Sequence, residues 1–253
     1  MKKKYFFWGI ILVLASSCHS PYHLQHVERT RILMDKTYDA HPDAAAIAWL
    51  QPYQAKVDSM MNPIVGHVGC YLAADRPESP LSNLLTDILV WAAKDYKETP
   101  DFAVYNIGGM RAALAEGDVT IGDVLEVAPF DNKICFVSLT GAKVKELFSQ
   151  MAMQGGEGVS HEVQLEITKD GKLKSAKVKG KNIDDAATYR IATIDYVAQG
   201  NDKMTAFKSA TDINQPEAEE NNVRYIIMNY LREMAKQNII VTAKKEGRIV
   251  VTE

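Results

Sequence analysis

Phe102-Ala103-Val104-Tyr105-Asn106-Ile107-Gly108-Gly109-Met110-Arg111 is the stretch that decides the fold class. An apolar run of strand length closed by a glycine-rich polar loop predicts a buried strand that ends at a sheet edge. Such a strand end presents backbone N–H groups, the Asn106 amide and the Arg111 guanidinium together. Paired glycines permit φ > 0 and close approach of a ligand to the backbone. Arginine grips phosphate or carboxylate with two parallel bonds. Taken alone, the loop fits an anion cradle or a tight turn with Arg111 solvated or ion-paired.

Outward from this strand, helices and strands come in both alternating and hairpin order. Asp43 opens a helical pattern with Ala44, Ile47, Leu50, Val57 and Met61 near one face, which Pro52 should kink or split and Asn62-Pro63 should stop. Ile64 to Leu72 predicts a strand. Ser79-Pro80 predicts an N-cap with proline at the first helical position, opening a helix to about Tyr96. A short helix from Ile121 to Val127, a strand from Lys133 to Leu139 and a helix from about Ala142 to Met153, capped by Thr140, follow. Val163, Leu165 and Ile167 then alternate with polar residues, a turn spans Lys169 to Lys172, and Leu173 to Val178 returns as a hairpin partner. A strand around Tyr189 to Thr193, a loop from Ile194 to Asp202, a helix from about Ala218 to Gln237 and a strand from Arg248 to Thr252 complete the order. This predicts an α/β fold of mixed sheets with covering helices.

The chain has 253 residues, 47% apolar and 24% charged, with a net charge of −3. These are ordinary globular values, and no basic stripe suggests nucleic acid as a partner. The one basic run, Lys2-Lys3-Lys4, precedes an apolar stretch from Tyr5 to Ala15 that is too short to span a bilayer. Leu14-Ala15-Ser16-Ser17-Cys18 resembles the lipobox of bacterial lipoproteins, and cleavage after Ser17 as an ordinary signal peptide is the alternative. The expected organisation is a signal peptide over 1–17, a tether with a short strand around Arg31 to Met34 over 18–42, a linker-like helix over 43–62 and one domain over 63–253. Removing residues 1–17 leaves 26 basic and 32 acidic residues, a net of −6. The protein is expected to be exported, as a periplasmic or outer-membrane-tethered lipoprotein acylated at Cys18. Cys70 and Cys135 could form a disulfide or remain free thiols.

Two loops add to the Asn106–Arg111 segment. Pro129-Phe130-Asp131-Asn132 sets an aromatic just before a strand. Asp195-Tyr196-Val197-Ala198-Gln199-Gly200-Asn201-Asp202 sets another, with a carboxylate six residues on. Two aromatics can sandwich a planar base, and a carboxylate can accept both hydroxyls of a ribose.

Six segments stand in the order found in the C-terminal domain of 5′-nucleotidases, and from about Asp43 to Asp202 the chain resembles that family. They are Ser79 to Asp87, Asn106 to Arg111, Gly117 to Asp123, Ala128 to Asn132, Leu139 to Gly141 and Thr188 to Thr193. The resemblance implies that Asn106 contacts a base, with Gly108 and Gly109 in its loop, and that Arg111 binds phosphate. It implies further that Phe130 and Tyr196 stack on the base, that Asp202 holds the ribose and that Arg76 is a second phosphate arginine. The chain differs from the family pattern in two places: Tyr196 replaces a usual Phe, and Gly200-Asn201-Asp202-Lys203 replaces Gly-Gly-Asp-Gly.

In that family a separate N-terminal metallophosphoesterase domain holds two metal ions on Asp-x-His, Gly-Asn-His-Asp/Glu and His-x-His motifs. This chain has six histidines and lacks that set, with Asp39-Ala40-His41 a chance match. No catalytic or metal-binding residue is therefore expected here, and no cofactor. Divalent metals are expected only on a partner metallophosphoesterase chain. The expected ligand is a nucleotide or nucleoside. A non-catalytic nucleotide-binding lipoprotein, or a structural domain that has lost the site, are the alternatives.

Overall fold

The computed structural model describes residues 24–253 apart from Met34, Tyr38 and His41. The expected signal peptide, Cys18 and His41 lie outside the described residues. The chain divides into two units, Met1–Gln51 and Pro52–Glu253. In the first, Leu24 to Leu33 is irregular, so the strand expected around Arg31 is not found over its described residues. Among the described residues no helix is long and apolar enough to cross a membrane.

Helix α1 (Ala44–Met61) runs unbroken through Pro52 and buries none of its residues. Pro52 was expected to kink the helix or split it in two, and no split occurs. Proline removes one intrahelical donor, and the turns on either side keep theirs. At its start the Asp43 carboxylate accepts the amides of Ala45 and Ala46 at 2.8 and 3.1 Å.

In the second unit a five-stranded mixed sheet has the order β10-β4-β9-β2-β5. Its members are β2 (Phe102–Tyr105), β4 (Ile134–Thr140), β5 (Gly158–Val159), β9 (Thr188–Ile194) and β10 (Thr211–Asn214). Strand β2 lies parallel to β9 and antiparallel to β5. All four of its residues are buried, as expected of an apolar run with both faces covered. A second sheet, β11-β6-β7-β8, contains β6 (Val163–Thr168), β7 (Leu173–Val178), β8 (Lys181–Asn182) and β11 (Ile249–Thr252). Strands β1 (Ile64–Val68) and β3 (Gly117–Thr120) form an antiparallel pair.

Helix α2 (Pro80–Ala92) opens with the expected Ser79 cap. Its hydroxyl accepts the Ser82 amide while the Ser82 side chain returns to the Ser79 amide, a reciprocal capping box. Its buried face, including Leu81, Leu85, Ile88 and Leu89, packs on β2 and β5. After α3 (Ile121–Val127), helix α4 (Gly141–Met153) contacts strands of both larger sheets. Thr140 stands at the N-cap of α4 but its hydroxyl makes no capping bond. The Ala187 and Asp185 carbonyls accept the amides of Gly141 and Ala142 instead, at 2.8 and 3.2 Å. The expected loop after β9 begins with a one-turn helix, α5 (Asp195–Ala198). Helix α6 (Val223–Lys236) starts later than expected, where the Asn222 side chain accepts the Arg224 amide. Cys70 and Cys135 are free thiols, and burial pushes the Cys135 thiol up to about 11.

Candidate functional site

Three loops meet at the end of β2. The first follows directly from that strand: Asn106 leaves β2 buried, and Ile107–Gly109 makes a single 3-10 turn. A Cβ on Gly109 would sit 2.8 Å from Asn106 Oδ1, so a side chain there would displace that amide. The backbone N–H groups expected to face a ligand are largely used inside the protein. The Ile107 amide donates to Glu157 Oε2 at 2.5 Å, Gly109 to Asn106 O at 3.1 Å and Met110 to Ile107 O at 3.0 Å. The Arg111 amide donates to Val127 O at 2.9 Å. What the loop offers a ligand is therefore the Asn106 amide, the exposed Gly108 and the exposed Arg111 guanidinium. That guanidinium donates to Gly108 O at 3.3 Å, a long contact.

The second loop follows α3 and carries Phe130, whose ring is half exposed. Arg224 of α6 fixes this loop from both sides, donating to Pro129 O at 2.9 Å and to the Asp131 carboxylate at 2.6 Å. The third loop carries Tyr196, on α5, and Asp202. Here Gly200, Asp202 and Lys203 have φ of 83°, 48° and 60°. Asn201 stays outside the left-handed region, and its side chain donates to Tyr196 O at 2.8 Å.

Asp202 ties the third loop to the first. Its Oδ2 accepts Asn106 Nδ2 at 2.5 Å and its Oδ1 accepts the Tyr196 hydroxyl at 3.0 Å. The bond to Asp202 raises the Tyr196 pKa, as it must when the hydroxyl donates to a carboxylate. Asn106 Oδ1 is buried and accepts no hydrogen bond among the described residues. The amide cannot flip to correct this without turning its oxygen onto the Asp202 carboxylate.

These loops enclose a cavity of about 370 Å³ lined by Asn106, Gly108, Gly109, Arg111, Phe130, Asn132, Tyr196 and Asp202. That is within the ordinary size of a small-molecule site, roughly 300–1,000 Å³. Asn132 had no signal of its own beyond standing two residues after Phe130. Arg76, expected as a second phosphate arginine, does not line the cavity. Its Nε donates to Gly156 O at 2.9 Å and its terminal nitrogen pairs with the Glu157 carboxylate. Glu157 is buried, and burial outweighs the pairing, so its carboxyl sits above the ordinary glutamate range. The Arg76 guanidinium is thus occupied by Gly156 O and the buried Glu157 carboxylate. Among the described residues no three His, Cys, Asp or Glu side chains gather as metal ligands.

The model of the family described as 5′-nucleotidase, C-terminal domain, matches residues 64–209. The helix over 43–62 thus lies before the matched region. Protein UshA of Escherichia coli is 31% identical over 159 residues, which is 62% of this chain and 29% of that protein. The trifunctional nucleotide phosphoesterase protein YfkN of Bacillus subtilis is 27% identical over 238 residues, covering 85% of this chain and 16% of that protein. This chain therefore spans less than a third of the length of these curated relatives. Among solved structures, a 5′-nucleotidase precursor from Thermus thermophilus superposes with a TM-score of 0.68 at 26% identity, over 83% of this chain and 42% of that one. The mixed sheets with covering helices are the fold of those C-terminal domains. The chain belongs to the 5′-nucleotidase C-terminal domain family.

Proposed function

We propose that this domain is the nucleotide- or nucleoside-recognition half of a 5′-nucleotidase, serving phosphomonoester hydrolysis together with a separate metallophosphoesterase chain. The observation that carries this assignment is one cavity that gathers two exposed aromatics, an exposed arginine and an amide–carboxylate pair. Phe130 and Tyr196 stack on the base, and Arg111 takes the phosphate. Asp202 accepts ribose hydroxyls on the lone pairs that Asn106 and Tyr196 leave open. Asn106 contacts the base through the amide that Asp202 holds in place.

In this proposal the divalent metals stay on the partner chain. The protein is exported and held at a membrane through an acyl group on Cys18. AMP hydrolysis measured with this protein, with a metallophosphoesterase from the same cell, and with both, tests the assignment. Synergy is expected. Additive rates with retained nucleotide binding would leave a capture protein with no enzymatic partner.

A further inference from the structure

Directly behind the cavity lies Gln154-Gly155-Gly156-Glu157, a segment that no expectation placed in the site. Its two polar side chains reach two of the cavity's walls. Gln154 Nε2 donates to the Asp202 carbonyl at 2.7 Å, and Glu157 Oε2 accepts the Ile107 amide at 2.5 Å. We propose that this segment is a bracket that positions both walls, with Gln154 setting Asp202 for ribose and Glu157 setting the Asn106–Arg111 loop. The proposal rests on the assignment of Asp202 to ribose made above.

The bracket is itself tied at both ends. The C-terminal turn of α4 anchors one end, with the Gly155 amide on Ala152 O at 2.9 Å and the Gly156 amide on Met151 O at 3.0 Å. Strand β5 anchors the other, with Gly158 opposite Tyr105 and Val159 opposite Val104. Gly156 has φ of 108°, and a Cβ there would lie 2.5 Å from Pro77 O, so the segment sits flush against the chain before α2. Arg76 completes the support by pairing with Glu157 from that side.

Such support is needed most at Asp202 and Lys203, both in the left-handed region without a glycine's freedom. Backbone of that kind persists only where its surroundings over-determine it. The Gln154 bond lands on the first of the two residues. Its loss should loosen the carboxylate that reads the ribose more than the stacking rings, of which Phe130 has no bond to Asp202.

Hydrogen exchange on the free protein and calorimetry with adenosine, 2′,3′-dideoxyadenosine and AMP test the bracket. Gln154→Ala should speed exchange of the Met204 amide, which bonds to Asn201 O, and leave the amides of β4 unchanged. It should weaken adenosine roughly 3- to 10-fold, the worth of one hydrogen bond, and weaken the dideoxynucleoside less. Glu157→Gln should speed exchange at Ile107 and weaken all three ligands. Unchanged exchange at both amides overturns the bracket, as does an equal loss of adenosine and dideoxyadenosine on Gln154→Ala. A wild-type protein that binds none of the three, yet responds in exchange, keeps the bracket and overturns nucleotide recognition instead.

Discussion

Arg111 and Lys203 are the residues whose local physics bears most directly on the site. The Arg111 guanidinium is exposed, and its contact to Gly108 O is too long to compete with a phosphate dianion. Arg111→Ala is expected to cost AMP roughly 10- to 100-fold in affinity, from about 1.5–3 kcal/mol for a charge-assisted bond, and to spare adenosine. Titration of both ligands into both proteins checks this, and equal losses would remove Arg111 from the phosphate. Lys203 holds φ of 60°, where a side chain costs about 1–2 kcal/mol that glycine avoids. Glycine's extra freedom in the unfolded chain returns part of that, so Lys203→Gly should raise the melting temperature by about 2 °C. Asn201→Gly should give no gain, because Asn201 is outside that region and its side chain bonds Tyr196 O. The two departures from the Gly-Gly-Asp-Gly pattern are therefore not equivalent. That Asn106, Arg111, Phe130, Tyr196 and Asp202 line one cavity was legible in the sequence, because each sits in a short local motif. The partners of Arg76, Gln154 and Glu157 were not legible, because residues distant in the chain decide them.

At the scale of elements, the strands and helices with strong apolar periodicity were legible. Strand β10 was not, because Thr211-Asp212-Ile213-Asn214 is short, largely polar and on a sheet edge. What holds that region is a polar cluster rather than an apolar face. Arg190 of β9 forks onto Glu98, Nε to Oε2 at 2.8 Å and its terminal nitrogen to Oε1 at 2.6 Å. Asn214 of β10 donates to the same carboxylate at 2.8 Å. The Arg190 bond holds the Glu98 carboxyl below its ordinary 4.5. A lowered native pKa means that the unfolded chain binds the proton more tightly, so the stabilisation is complete above 4.5 and fades as pH falls through the native value. Glu98→Gln should cost about 1–3 kcal/mol at neutral pH, with the gap to wild type closing in acid. Urea unfolding at neutral pH and well below 4.5 checks this, and a gap that stays constant would show that charge is not the cause.

The molecule as a whole makes its site only when folded, since the cavity draws its walls from residues 106–111, 130–132 and 196–202. These segments are joined through β2, β4 and β9, neighbours in one sheet, so the unfolded chain has no equivalent surface. A ligand that binds only the native state stabilises it by mass action, by about 2.7 kcal/mol at a hundredfold excess over Kd. For a unit the size of Pro52–Glu253 each kcal/mol is worth roughly 2–4 °C, so saturating AMP should raise the melting temperature by about 5–11 °C. Adenosine should give a smaller shift at equal concentration, because it leaves Arg111 unused. Inorganic phosphate should give less still, because Phe130 and Tyr196 then face water. Thermal melts with the three ligands distinguish a built nucleotide site from an inherited fold. Equal shifts from AMP and phosphate would reduce the cavity to an anion site, and no shift at millimolar AMP would leave the fold without its ligand.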